Sequence, residues 1–141
     1  MPVNVVYTTE ARATGGRDGE TGTTDGRFRT KLSTPKEMGG AGSDGLNPEQ
    51  LFASGYAACF LGAMKAVSSG VGVRVPSDTS VTSTVGIGPR SEGGFGLTVA
   101  LRIELPGVDR DRAEALVAKA HEVCPYSNAT RGNIDVKLTV A

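Results

Sequence analysis

Hydrophobic and polar residues alternate with a period of two at both ends of this chain, and with a period near 3.6 in two stretches between. Val3, Val5, Tyr7 and Thr9 alternate with less apolar neighbours, which predicts a half-buried strand continuing to about Ala13. Gly15-Gly16-Arg17-Asp18-Gly19 then breaks the pattern. It reads either as a polar turn or as a backbone device that presents Arg17. Asp25-Gly26 is a hairpin signal between a strand over 19–24 and a second marked by Phe28, Thr30 and Leu32. Residues 35–46 form a loop long enough to be mobile or to cover a site. Farther on, Val81, Ser83, Val85 and Ile87 predict a strand, and Leu97, Val99, Leu101, Ile103 and Leu105 a second that forms a meander or hairpin with it. Ile134, Val136, Leu138 and Val140 predict a last strand.

The helical stretches carry capping signals. Over Asn47–Val67, Asn47 suits the cap, Pro48 the first helical position and Gln50 the capping box. Phe52, Cys59, Ala63 and Ala66 fall on one stripe with Tyr56 at its edge, and Ala53, Ala57, Ala58 and Gly62 cover much of the rest. A helix so small-sided and poor in charge is expected to be central, packed nearly all round, and to stop near Ser68-Ser69-Gly70. Asp109 is placed to cap a second helix over 110–123, with Ala113, Leu116, Val117, Ala120 and Val123 on its inner face. The predicted order, strands, helix, two strands, helix, strand, describes a single α+β domain of 141 residues with two main helices against antiparallel sheet.

Charge and composition narrow the function classes. The 15 basic and 15 acidic residues cancel, which argues against a nucleic-acid or anionic-membrane partner. No apolar run reaches the ~18 residues a membrane span needs, and the first residues, MPVNVVYTTEA, lack the character of a signal peptide. A cytoplasmic setting is the expectation, in which the sequon at Asn128 carries no meaning. Two cysteines in a reducing compartment are more often catalytic, redox-active or incidental than a permanent bridge.

Each cysteine has two readings. Cys59 is a small buried hydrophobe or a reactive thiol. Cys124, held at a helix end by Pro125, is ordinary packing or a thiol free to shift. His121, the only histidine, reads as a solvated surface residue before it reads as a base for a thiol. Cys59, Cys124 and His121 lack structural-zinc spacing, so no metal is expected, and no phosphate loop or dinucleotide fingerprint is present. Two thiols so placed suggest one that is oxidised and one that resolves it. Such a site needs a cation to favour the thiolate, and arginine suits that role.

GGRDG (15–19), NPEQLFASGYAACF (47–60), VGIG (85–88) with GGFGL (93–97), and VCPYSNATRGNIDV (123–136) closely resemble organic hydroperoxide resistance proteins, a branch of the superfamily of the osmotically inducible protein C. The resemblance implies the fold of that superfamily in an intertwined homodimer, and a thiol peroxidase that reduces organic hydroperoxides, fatty-acid hydroperoxides included, to alcohols. It implies a peroxidatic Cys59, a resolving Cys124, an activating Arg17 and an orienting Glu49. It also implies no bound cofactor, and a disulfide reopened by dihydrolipoyl groups of lipoylated proteins. Glu49 and Cys59 are ten residues apart, about 15 Å of straight helix, and cannot touch directly in that geometry. Two rivals remain at this stage. One is a cysteine hydrolase or acyltransferase using Cys124 and His121, and the other a redox sensor or binding module of the same fold.

Overall fold

A computed structural model describes residues 2–141. By its contacts the chain separates into two compact units, one up to Leu51 and one from Phe52 to Ala141. The fold class is α+β, as the periodicities predict.

The first unit holds an antiparallel three-stranded sheet in the order β1 (Ala11–Thr14), β2 (Glu20–Thr23), β3 (Arg29–Lys31). The β2–β3 hairpin turns where Asp25-Gly26 predicts it. The Asp25 carboxylate accepts from the Thr23 hydroxyl and the Arg27 peptide N–H, and Gly26 supplies φ +79°. The segment 35–46 is pinned rather than loose. The Ser33 hydroxyl binds the peptide and hydroxyl of Ser43, and Leu32 bridges to Leu46.

The N-terminal alternation gives a different outcome from its prediction. Residues 2–10 form no strand, and Val3, Val5, Val6 and Tyr7 are between 66% and 92% exposed. An alternating segment becomes a strand only when a neighbour takes its peptide hydrogen bonds and covers its apolar side chains.

The long helix α1 spans Pro48–Val71. Its capping box is complete: the Gln50 peptide N–H donates to the Asn47 side chain, and the Asn47 peptide N–H to the Gln50 side chain, each at 2.9 Å. The helix runs past Ser68-Ser69-Gly70 and ends at Gly72, whose φ of +75° allows a Schellman turn. There Val73 N–H reaches the Ser68 carbonyl and Gly72 N–H the Ser69 carbonyl. With 24 residues and few charges it is long and apolar enough, by length and composition, to cross a membrane, where the sequence led to the expectation of no such stretch. Its alanines and larger apolar residues raise the mean hydropathy, while Ser, Gly, Tyr56 and Lys65 interrupt the run.

In the second unit α1 buries Tyr56, Phe60, Ala63 and Met64, while Phe52 and Cys59 are half-buried. Ala58, Gly62, Ala66 and Gly70 lie exposed, so the helix is not packed all round within one chain. Strands β4 (Ser80–Pro89) and β5 (Phe95–Glu104) pair antiparallel over their full length, Val81 opposite Ile103 and Val85 opposite Val99. The last strand, β6 (Lys137–Val140), pairs parallel to β5, so this sheet is mixed rather than wholly antiparallel. The helical connection between β5 and β6 accounts for the parallel sense, because it carries the chain back to the same end of the sheet. That connection contains α2 (Arg110–Val123) and a short α3 (Pro125–Thr130). The Asp109 side chain caps α2 at the Arg112 peptide N–H, and Ala113, Leu116, Val117 and Ala120 are buried as expected. Val123, predicted on the same face, is 47% exposed at the last residue of the helix. The core joins Tyr56, Phe60 and Met64 to Leu101 and Ile103 of β5 and Leu116 of α2.

Removing the α1 cap should cost about 1 kcal/mol. Asn47→Ala is therefore expected to lower the melting temperature by roughly 3–5 °C, and Asn47→Asp, which keeps an acceptor, to leave it nearly unchanged in a thermal scan.

Candidate active site

Arg17 sits in a single 3-10 turn, Gly16–Asp18, that two glycines make possible. Gly15 has φ +73°. A Cβ on Gly19 would lie 1.8 Å from the Thr14 carbonyl oxygen, so no other residue fits that position without moving backbone. Asp18 anchors the turn from its far side, accepting from the Thr34 peptide N–H at 3.0 Å and the Thr34 hydroxyl at 3.1 Å. The turn presents Arg17 to Glu49 in the first turn of α1. Its two terminal nitrogens donate to the two carboxylate oxygens at 2.9 and 2.6 Å. This fork-to-fork geometry is the one only arginine offers a carboxylate. Hydrogen bonding from Arg17 holds the Glu49 carboxyl below the usual range, against a smaller opposing effect of burial, and the same bond raises Arg17. Both groups are therefore charged at neutral pH.

The two cysteines meet in the second unit. Cys59 lies on α1, half-buried, and Cys124 at the α2–α3 junction, fully buried; both are free thiols with their sulfurs 3.7 Å apart. Cys124 has φ −62° and ψ +125°, an extended residue between two helices, as Pro125 requires of the position before it. Burial pushes the Cys59 thiol up, and the peptide N–H of Tyr126, which favours the thiolate, offsets part of that.

Three aromatic rings pack against one another on α1 and α3. Tyr126 stacks on Phe52 with centroids 6.2 Å apart and meets Tyr56 edge-on at 5.7 Å. A Cβ on Gly55 would come within 3.1 Å of the Tyr126 hydroxyl oxygen, so this glycine gives the ring its seat on α1. Tyr56, Ser127 and Thr130 are buried and share hydroxyl hydrogen bonds, and Ser127 also reaches His121.

His121 is not the solvated residue its helical position suggests. It is half-buried beside Phe60, burial and the nearby Arg131 guanidinium lower its pKa, and its Nδ1 binds Ser127. The sequence reading missed Tyr56, Ser127 and Thr130 as polar partners. For two of them a signal was present, a hydroxyl three residues from a cysteine: Tyr56 before Cys59 and Ser127 after Cys124. Among the described residues no three His, Cys, Asp or Glu side chains gather closely enough to hold a metal ion.

An α+β scaffold with two unbonded thiols at van der Waals distance defines the class, and residues 40–139 match the model of the OsmC-like protein family. The organic hydroperoxide resistance protein of Xanthomonas axonopodis pv. citri is 59% identical over 140 residues, 99% of this chain and 98% of that protein. The crystal structure of an organic hydroperoxide resistance protein from Legionella pneumophila is similar at 51% identity and a TM-score of 0.91, covering 98% of this chain and 99% of that one. One from Elizabethkingia anophelis is similar at 49% identity and a TM-score of 0.91, covering 99% of each chain. The chain belongs to the organic hydroperoxide resistance family of OsmC-like proteins.

Because Glu49 is depressed by Arg17, the pair's contribution is complete above the ordinary carboxylate range and is lost only as pH falls through the lowered Glu49 value. Arg17→Gln should move the Glu49 midpoint upward in a carboxyl-carbon NMR titration; an unmoved midpoint would show that the bidentate contact does not set it.

Proposed function

We propose that this protein is a cysteine-based peroxidase that reduces organic hydroperoxides, fatty-acid hydroperoxides included, to alcohols. The approach of two reduced sulfurs to 3.7 Å carries the reading, since a shift of about 1.6 Å brings them to the ~2.05 Å of a disulfide. The family name of the relatives supports the substrate class.

In the proposed cycle the Cys59 thiolate attacks the terminal peroxide oxygen. An S–O bond forms, the O–O bond breaks, and the alkoxide leaves with a proton as the alcohol. The Cys59 sulfenic acid then condenses with the Cys124 thiol, forming the disulfide and releasing water. A dihydrolipoyl group, free or on a lipoylated protein, reopens the disulfide by exchange and leaves as the cyclic disulfide, so no bound cofactor is needed. The order of events follows exposure: Cys59 is half-buried and open to substrate, whereas Cys124 is wholly buried and meets only its neighbour. Burial by itself keeps the Cys59 thiol protonated. The cycle therefore requires a positive charge, and the proposal gives that role to Arg17, with Glu49 orienting it. A cytoplasmic setting would keep both thiols reduced between turnovers.

The same proposal includes a homodimer. In the first unit the exposed Val3, Val5, Val6 and Tyr7 are an unpaired alternating segment. In the second, Ala58, Gly62, Ala66 and Gly70 leave a shallow exposed face on α1. A second copy offers a neighbour to each.

Many equivalents of cumene hydroperoxide should be consumed with dihydrolipoamide, and one equivalent only would favour the sensor reading. Cys59→Ser should abolish turnover. Cys124→Ser should react once and accumulate over-oxidised Cys59 by mass spectrometry. In a thiol-alkylation titration Arg17→Ala should raise the Cys59 midpoint, and an unchanged profile would remove Arg17 from the mechanism. A Cβ on Gly62 meets nothing within 4 Å in the chain itself, so Gly62→Arg tests association without disturbing the fold. Light scattering should give twice the 14.5 kDa chain mass for the wild type and the single mass for the variant.

A further inference from the structure

Four polar side chains tie together the three helices that carry the cysteines. Nδ1 of His121 on α2 lies 2.8 Å from the Ser127 hydroxyl on α3. That hydroxyl lies 2.8 Å from the Tyr56 hydroxyl on α1, which in turn lies 3.3 Å from the Thr130 hydroxyl. Thr130 donates to the Ser127 carbonyl at 3.1 Å. Ser127, Tyr56 and Thr130 are at most 4% exposed, so water does not replace these bonds.

Proton accounting gives the chain a direction. Thr130 spends its only hydroxyl proton on the Ser127 carbonyl, so it accepts from Tyr56. Tyr56 then accepts from Ser127, and Ser127 from His121. This order requires the proton of His121 to sit on Nδ1. Burial keeps the imidazole neutral, and Arg131 fixes the same turn of α2 by donating to the His121 carbonyl at 2.5 Å.

The placement relative to sulfur is regular. His121 and Ser127 stand three residues before and after Cys124, and Tyr56 three residues before Cys59. The chain therefore spans the extended Cys124 residue from both sides and fastens the junction to the helix turn that carries Cys59. Cys124 is the hinge between the two ladders: its N–H closes α2 on the Ala120 carbonyl and its carbonyl opens α3 to the Asn128 N–H, while Pro125 brings no N–H to carry α2 further.

We propose that His121, Ser127, Tyr56 and Thr130 are positioning residues for disulfide closure. They hold the Cys124 sulfur beside Cys59, so that the sulfenic acid is captured before a second peroxide reaches it. None touches peroxide in this role. The step they serve joins the Cys124 thiol to the Cys59 sulfenic acid, with loss of water. The inference rests on the peroxidase reading for that step, but the geometry it invokes is independent of which oxidant acts.

The test measures the two steps separately, on reduced protein treated with one equivalent of cumene hydroperoxide or, in a second arm, with diamide, which takes two electrons and two protons from the thiol pair. Sulfenic acid is trapped with dimedone, and disulfide is counted by alkylation and mass spectrometry. Ser127→Ala and Thr130→Val should slow closure by at least about tenfold in both arms, the scale of one lost buried hydrogen bond. The rate of sulfenic acid formation should change by less than about twofold, and sulfinic acid should rise under excess peroxide. Thr130→Ser, which keeps the hydroxyl, should close at the wild-type rate. Closure at the wild-type rate in Thr130→Val, or equal slowing of both steps, overturns the inference. Should Ser127→Ala fail to fold, the Thr130→Val and Thr130→Ser pair decides alone. A wild type that closes with diamide but ignores peroxide sinks the peroxidase reading, and the diamide arm still decides the positioning role.

Discussion

Two sulfur atoms 65 positions apart in sequence, kept close and unbonded, impose the condition that the second unit satisfies. Cys59 loses water by being there, and a thiol that loses water holds its proton more firmly. Proximity and reactivity therefore pull in opposite directions. The approach is obtained from rigid parts, a helix buried through Tyr56, Phe60 and Met64 and a second helix buried through Leu116 and Ala120. Reactivity has to come from polar groups added at the edges of that packing. The Tyr126 peptide N–H is one such group, delivered by the turn that Pro125 starts.

The first unit solves a different problem, how to hold a long, mobile cation in one orientation. Arginine loses side-chain entropy when fixed, and an exposed ion pair rarely compensates for that. Glu49 is only 12% exposed and takes both ends of the guanidinium, which makes the contact directional rather than merely attractive. The turn beneath it is shaped by glycines for steric reasons, since a side chain at Gly19 would strike the carbonyl of Thr14. GGRDG is thus a statement about backbone as much as about charge, and Asp18 holds the turn from the opposite side.

Local signals were legible where local physics decides. The Asn47–Gln50 capping box, the Asp109 cap, the β4–β5 pairing and the inner face of α2 all follow from spacing and side-chain type. What failed depended on a neighbour the periodicity cannot name. Val3 to Thr9 alternate perfectly well and still form no strand, because one chain supplies nothing to pair them. Ala66 shares the helical stripe of Cys59 yet lies exposed, and Ser68 to Gly70 look like a stop until Gly72 provides a better one. The pairing of Cys59 with Cys124 was suggested by where the two thiols fall and given its roles by the family resemblance, and the pairing of Arg17 with Glu49 came from the resemblance alone, since no local period links positions so far apart.

The buried hydroxyls belong to the same class of long-range fact, and they also bear on why this junction is not simply apolar. Replacing Tyr56, Ser127 and Thr130 by hydrocarbon would remove the desolvation cost of three polar groups, and well-packed apolar substitutes are often no less stable. Apolar packing is non-directional, however, and tolerates small slides. A chain of hydroxyls in which every proton is committed tolerates far fewer, because each displacement leaves a buried donor or acceptor unmatched. For two sulfurs that lie within about 1.6 Å of bonding distance, directionality is the property that holds the separation. The polar network is thus better understood as fixing a distance than as adding to the stability of the fold.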